Sequence, residues 1–147
     1  MAGIAYASDK RAMAIAGDVG FMMIGQCLST ISRHQLNSVV FVISNKVYAI
    51  EQSFVDICAF AKGGQFAPFD LLPTWDYLSL AKAFAVEGYK VQTGAELQQA
   101  LDKIMANKDT PALVEVIIPS QDLAPAMAGL VKSITGNTVD QCKIKAG

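Results

Sequence analysis

The sequence predicts an α/β fold: an open, doubly wound parallel sheet with helices on both faces, in a single domain. Three observations carry this. Short apolar runs alternate along the chain with segments of helical periodicity. One of the runs, Val39-Val40-Phe41-Val42-Ile43, is continuous, which suits a strand covered on both faces, and Ala112 to Ile118 is another long apolar strand. The interval between successive strands is long enough for a helix, as a parallel neighbour requires.

Taken in order, Arg11 to Ala16 reads as a buried strand of small and apolar residues that ends at Gly17-Asp18. From Gly20 to about Arg33 the residues Phe21, Ile24, Leu28 and Ile31 recur at spacings of three and four, which predicts a helix. The lone histidine, His34, falls at the end of that helix, where a cation meets the helix dipole favourably. Asn37-Ser38 punctuate, Val39 to Ile43 forms the second strand, and the polar patch Ser44-Asn45-Lys46 closes it. A helix is expected from Tyr48 to about Ala61, then a loop from Lys62 to Pro68, set by its glycines and proline. Asp76 is an N-cap for a helix through Leu78, Leu80, Ala81 and Phe84 that stops at Gly88. Tyr89-Lys90-Val91 makes a short strand. Thr93 and Glu96 form a capping box for a helix from Gly94 to Ala106. Pro119 closes the strand begun at Ala112, and a last helix spans about Ala126 to Ile134 before Gly136-Asn137. Residues 1–125 thus form the main domain and 126–147 a C-terminal helix and tail.

With 147 residues, 52% hydrophobic and 17% charged, the chain has enough apolar material for a core and is not disordered. A net charge of −1 excludes an electrostatic footprint for nucleic acid or for an anionic membrane surface. No apolar run approaches the roughly 18 residues of a membrane span. The N-terminus lacks a basic, apolar and small-residue leader pattern, so a cytoplasmic protein is expected. Cys27, Cys58 and Cys142 are odd in number, far apart and without a C-x-x-C pair. They read as free buried thiols, with no disulfide framework and no zinc site.

In open α/β sheets ligands bind beyond the carboxyl ends of the strands. Two such ends are chemically unusual here: Gly17-Asp18-Val19-Gly20 and Ser44-Asn45-Lys46. Asp18 and Asn45 each follow a buried strand, and the interval between them fits one helix plus one strand. A carboxylate and an amide oxygen suit a hard cation such as Mg²⁺, which fills its octahedron with phosphate and water. The N–H groups of the helix opening at Gly20 suit an anion. Asp18 serves equally well as an N-cap, and Asn45 as a turn residue.

The stretch from Gly17-Asp18-Val19 to Ser44-Asn45 resembles the thiamine-diphosphate motif, which runs from Gly-Asp-Gly to Asn-Asn. Gln26, Leu28-Ser29-Thr30-Ile31 and Arg33-His34-Gln35-Leu36-Asn37 resemble the intervening helix of 2-oxo acid decarboxylases. Asn45-Lys46-Val47-Tyr48-Ala49-Ile50-Glu51 is similar to their Asn-x-Gly-Tyr-x-x-Glu segment. Leu72-Pro73-Thr74-Trp75-Asp76-Tyr77-Leu78-Ser79-Leu80 resembles the run into the next helix in pyruvate and indolepyruvate decarboxylases. The likeness spans residues 1 to about 125 and fits the C-terminal, diphosphate-binding domain of those enzymes.

The resemblance implies a thiamine-diphosphate-binding fold, with thiamine diphosphate and Mg²⁺ as cofactors. Asp18, Asn45 and the Val47 carbonyl would hold the metal. Gly17, Val19, Gly20 and Tyr48 would complete the cofactor contacts, Gly20 through its backbone N–H to the diphosphate. Glu51 falls where the family places the glutamate that faces the 2-oxo acid substrate, a catalytic position for proton transfer. Val19, Ser44, Lys46 and Val47 depart from the usual glycine, asparagine, acidic residue and glycine, so the loops bend in their own way. A pyrimidine-binding domain or subunit is the implied partner, since 147 residues hold no counterpart of it, and a homo-oligomer is expected. The alternative is a non-catalytic domain that serves as an oligomerisation or interaction module.

Overall fold

The computed structural model describes residues 2–8, 10–107 and 109–142. In chain order the elements are α1 (Ala2–Tyr6), β1 (Ala12–Gly17), α2 (Asp18–Ile24), α3 (Cys27–Arg33), β2 (Ser38–Ser44), α4 (Ala49–Val55), α5 (Tyr77–Ala83), β3 (Glu87–Val91), α6 (Gly94–Ala106), β4 (Ala112–Ile117) and α7 (Pro125–Thr135). Short 3-10 turns occupy Ile57–Phe60, Pro68–Asp70 and Val139–Gln141. The chain forms two compact units, one of Met1–Ser44 with Trp75–Ile118, the other of Asn45–Thr74 with Pro119–Gly147.

The first unit holds a four-stranded, wholly parallel sheet in the order β1-β2-β4-β3. Alternate side chains of the inner strands feed two cores, as the two-residue period of a strand demands. Val40, Val42 and Leu113 pack with Phe21, Leu28, Ile31, Tyr77 and Ala81 on one face. Val39, Ala112 and Val114 pack with Val91, Ala100 and Ile104 on the other. These apolar runs are therefore buried on both sides, and each large aliphatic side chain withdrawn from water contributes about 1.5–3 kcal/mol. The predicted sheet with helices on both faces is what the structure shows. At the edge strand β1, however, Met13 and Ile15 remain 69% and 76% exposed.

Helix ends follow local chemistry. Thr93 accepts from the Glu96 N–H at 3.2 Å, and the Glu96 carboxylate accepts from the Thr93 N–H at 3.1 Å, completing the predicted capping box. At the other end of α6, the Arg11 guanidinium donates to the carbonyls of Ile104 and Asn107, placing a cation against the negative end of the helix. Asp76 caps α5 as expected, accepting from the Ser79 N–H at 3.0 Å, and His34 is the C-cap of α3.

Other boundaries differ from the sequence expectation. The helix expected over 20–33 starts earlier, at Asp18, and divides into α2 and α3. There the Leu28 and Ser29 N–H groups bond three residues back, to Gly25 and Gln26, so the turn tightens. The helix expected to reach Ala61 stops at Val55. Asp56 adopts an extended conformation and caps the following 3-10 turn through the Cys58 N–H at 2.9 Å. The helix begun at Tyr77 ends at Ala83, not at Gly88. Ala85 takes the left-handed position (φ 54°), and the buried Val86 donates its N–H to the Ala81 carbonyl at 2.9 Å. Gly88 instead lies inside β3, where a Cβ would stand 3.1 Å from that of Ala81: its small size lets α5 sit close on the strand.

The reading of three free thiols is corrected. Cys58 and Cys142 are joined in a disulfide with Cα atoms 5.3 Å apart, and Cys27 is a free thiol but exposed. A separation of 84 residues left no spacing signal for that pairing. Among the described residues no group of three or more His, Cys, Asp or Glu side chains is placed to hold a metal, and no helix is long and apolar enough to cross a membrane.

Replacing Thr93 by Ala removes the side-chain half of the capping box, the hydroxyl that accepts from the Glu96 N–H, and is expected to lower the unfolding free energy by about 1 kcal/mol, read from the urea midpoint at unchanged m-value.

Candidate functional site

The register Gly17↔Ile43 sets the carboxyl ends of β1 and β2 side by side, with Asp18 following one strand and Ser44 ending the other. Asp18 opens α2 and is only 4% exposed. A buried carboxylate needs donors. One is the Tyr77 hydroxyl, 2.5 Å from Oδ1. Tyr77 comes from the first position of α5, is itself 2% exposed, and meets Phe21 of α2 edge to face with ring centres 5.5 Å apart. Burial, then the hydrogen bond and negative charge of Asp18, and then Glu115 push the Tyr77 phenol well above the usual tyrosine range. Trp75 lies beside it, ring centres 6.5 Å apart.

The junction of β1 and α2 is open. A Cβ at Gly17 would meet nothing within 4 Å, and one at Gly20 would meet only the Ala16 Cβ at 4.0 Å. Val19 sits in the first turn of α2 with no positive φ, so the β-branched side chain costs no strain there.

The second unit carries Asn45, Val47, Tyr48 and Glu51. The Asn45 side-chain oxygen accepts from the Val47 N–H at 3.2 Å, an Asx turn, while the Asn45 carbonyl accepts from the Ser120 hydroxyl at 2.6 Å. The left-handed position of this loop falls on Lys46 (φ 63°) and not on Val47. Val47 bridges Leu71 through bonds on either side of it, Tyr48 N–H to the Asp70 carbonyl at 2.8 Å and Leu72 N–H to the Lys46 carbonyl at 3.0 Å. Tyr48 is the N-cap residue of α4, and Glu51 stands exposed in its first turn.

Beneath Glu51, the buried Gln52 fixes α4 with both ends of its amide. Its Oε1 accepts from the Ala67 N–H at 2.6 Å, and its Nε2 donates to the Asp56 carbonyl at 3.2 Å. Gln121 gathers the carbonyls of Ala61, Gly64 and Ala59 at 3.1, 3.3 and 3.4 Å. Asp70 is fully buried, and among the described residues neither of its carboxylate oxygens has a hydrogen-bond partner, an expensive arrangement within a fold.

Gly17, Asp18, Val19 and Gly20 thus belong to one unit and Asn45, Val47, Tyr48 and Glu51 to the other. Sequence reasoning assigned no role to Tyr77, Gln52 or Asp70. For Tyr77 a signal was present: a hydroxyl one residue after an N-cap, on the apolar face of a helix, must find a partner when buried.

Comparison with known proteins gives a consistent result. Residues 1–116 match the family described as "Thiamine pyrophosphate enzyme, C-terminal TPP binding domain". A probable pyruvate decarboxylase of Schizosaccharomyces pombe is 26% identical over 87% of this chain and 22% of its own length. An alpha-keto-acid decarboxylase of Mycobacterium bovis is 29% identical over 86% of the chain and 22% of its own. The thiamine diphosphate-dependent 4-hydroxybenzoylformate decarboxylase of Rhodococcus jostii RHA1 superposes with a TM-score of 0.70 at 24% identity, over 80% of this chain and 22% of that one, a likeness of fold. The chain therefore spans about 22% of the length of these relatives.

Replacing Tyr77 by Phe strips a donor from a buried carboxylate and is expected to cost about 1–3 kcal/mol at neutral pH. Because the folded state holds the phenol neutral above its ordinary pKa, its contribution is complete below about pH 10 and is lost as pH rises through the folded value. The fall in stability above about pH 10 should accordingly be shallower in Tyr77→Phe than in the wild type, measured by urea unfolding across pH.

Proposed function

We propose that this chain, which belongs to the family of C-terminal, thiamine pyrophosphate-binding domains of thiamine pyrophosphate enzymes, supplies the diphosphate- and Mg²⁺-binding half of a 2-oxo acid decarboxylase. The observation that carries the reading is the β1–β2 register, which sets Asp18 at the same sheet edge as the end of β2, one residue before Asn45. The donor set fits the ion: a carboxylate, an amide oxygen and a backbone carbonyl are hard ligands, and Mg²⁺ takes few of these from protein. Asp18, Asn45 and the Val47 carbonyl hold the metal. The Gly20 N–H receives the diphosphate where the backbone is uncrowded, and Gly17, Val19 and Tyr48 line the cofactor. When bound, thiamine diphosphate supplies the electron sink for decarboxylation.

Glu51 holds the proton exchanged at the substrate. It is exposed in this chain, so the dry surroundings that would tune such a carboxyl come from the partner, a pyrimidine-binding domain or subunit. Relatives in which this domain is about 22% of the whole support that division of labour.

Calorimetric titration with thiamine diphosphate tests the half-site. Binding is expected to require Mg²⁺ and to vanish in Asp18→Ala; no binding even after a pyrimidine-binding domain is added would overturn the reading. Turnover of a 2-oxo acid is expected only in the mixture, with Glu51→Gln lowering it by about 10²-fold or more.

A second reading, an oligomerisation or interaction module, is favoured by the apolar side chains this chain leaves in water. Tyr6, Ile15, Met13 and Ile4 are 78%, 76%, 69% and 67% exposed. Light scattering at micromolar concentration is expected to show dimers or larger assemblies, and a sharp monomer peak would remove this reading.

A further inference from the structure

We propose that Cys58 and Cys142 form a thiol-exchange site, at which low-molecular-weight thiols and disulfides set whether the C-terminal end of the second unit is fastened to the segment behind α4. The inference stands on the disulfide and its surroundings and does not depend on cofactor binding.

Cys58 lies in the 3-10 turn that follows α4 directly. Asp56 couples the two elements: its N–H donates to the Gln52 carbonyl at 2.8 Å, closing α4, and its carboxylate accepts from the Cys58 N–H at 2.9 Å. Cys142 follows the turn Val139–Gln141, which the chain reaches from α7 through Gly136. Within this unit α7 packs against α4, with Val131 only 1% exposed. The disulfide therefore closes a ring that runs from α4 through Cys58 and Cys142 to α7 and back to α4.

Among the described residues, the far side of that ring is lightly held. No residue of the Val139–Gln141 turn is buried, and the turn is organised by its own Thr138–Gln141 capping box. A segment without buried apolar contacts opens at low free energy once its covalent tie is cut. Access is also provided. Both cysteines are half-buried and line a cleft of about 250 Å³ shared with the polar residues Ser53, Asp56, Asn137 and Thr138.

The chemistry is ordinary exchange. The thiolate of a small thiol attacks one sulfur, the protein S–S bond breaks, and a mixed disulfide forms with release of the other cysteine as a thiol. A second small thiol resolves it. In sum the protein disulfide takes up two electrons and two protons, and two small thiols become one small disulfide; oxidation is the reverse. In the reduced state the Cys142 thiol has an acceptor at hand, the Thr138 carbonyl 3.5 Å from Sγ. Reduction frees residues 136–142 and loosens α7 against α4, the helix that bears Glu51.

The test equilibrates the 147-residue chain in buffers of varied reduced-to-oxidised glutathione ratio, alkylates with a maleimide and counts labels by mass. Labelling is expected to climb reversibly from Cys27 alone to all three cysteines as the ratio rises. Hydrogen exchange across 136–142 and α7 should become about tenfold faster or more in the reduced form. The melting temperature should fall by about 5 °C or more. Cys58→Ser should match the reduced wild type in hydrogen exchange and melting temperature at every ratio, and Cys142→Ser gives the same readout should the first variant fold poorly. Three labels at every ratio, one label even in excess reduced glutathione, or exchange in α7 that ignores the redox state would each overturn the proposal.

Discussion

A carboxylate taken out of water must be met by donors, and at Asp18 that requirement organises the first unit. The Tyr77 hydroxyl reaches it from 59 residues away, so α5 cannot be placed without fixing the start of α2. The same tyrosine ring packs on Phe21, so one side chain answers both the polar demand of Asp18 and the apolar demand of the core. Because β1 ends at Gly17 in register with Ile43, the acid held in this way stands at the sheet edge where two parallel strands finish. In open parallel sheets that edge is where ligands collect. The hydrogen bond thus ties the start of α2 to the start of α5 at that edge.

The second unit meets its backbone needs differently. Among the described residues it has two α-helices, α4 and α7, and otherwise short turns and loops, so it cannot satisfy its peptide groups by regular ladders alone. Side-chain amides take up the task. Gln52 links α4 to the loop at Ala67, and Gln121 collects three carbonyls from the stretch around the 3-10 turn. Close packing forces the composition of that stretch: a Cβ at Gly64 would stand 2.3 Å from the Cys58 carbonyl. The helix with Glu51 in its first turn is therefore tied to the loop at Ala67 by the amide of Gln52.

Loop conformation resolves the departures from the family pattern. Val19 would be awkward at a left-handed position, and it does not occupy one, because α2 begins at Asp18. The left-handed turn falls on Lys46, one place before the residue that aligns with a family glycine. An unbranched side chain tolerates that region better than valine does. The substituted loop thus keeps the Asx turn from Asn45 to Val47 and the bridge from Val47 to Leu71.

Periodicity, propensity and capping are local, so the sequence by itself determined the alternation of strands and helices, the Thr93–Glu96 box, the Asp76 cap and the two-sided burial of the central strands. The likeness of Gly17 to Asn45 and of Asn45 to Glu51 to a known motif also pointed to the family. Other features depend on groups distant in sequence, and only the tertiary structure decided them. Tyr77 finds Asp18, Cys58 finds Cys142 across 84 residues, and the fit of Gly88 against Ala81 lets α5 stop at Ala83 while the chain turns back into β3. A helix end set by a buried Val86 and a left-handed Ala85 carries no glycine to announce it. Such contacts are chosen by which surfaces meet after the chain has folded, and no local pattern records that choice.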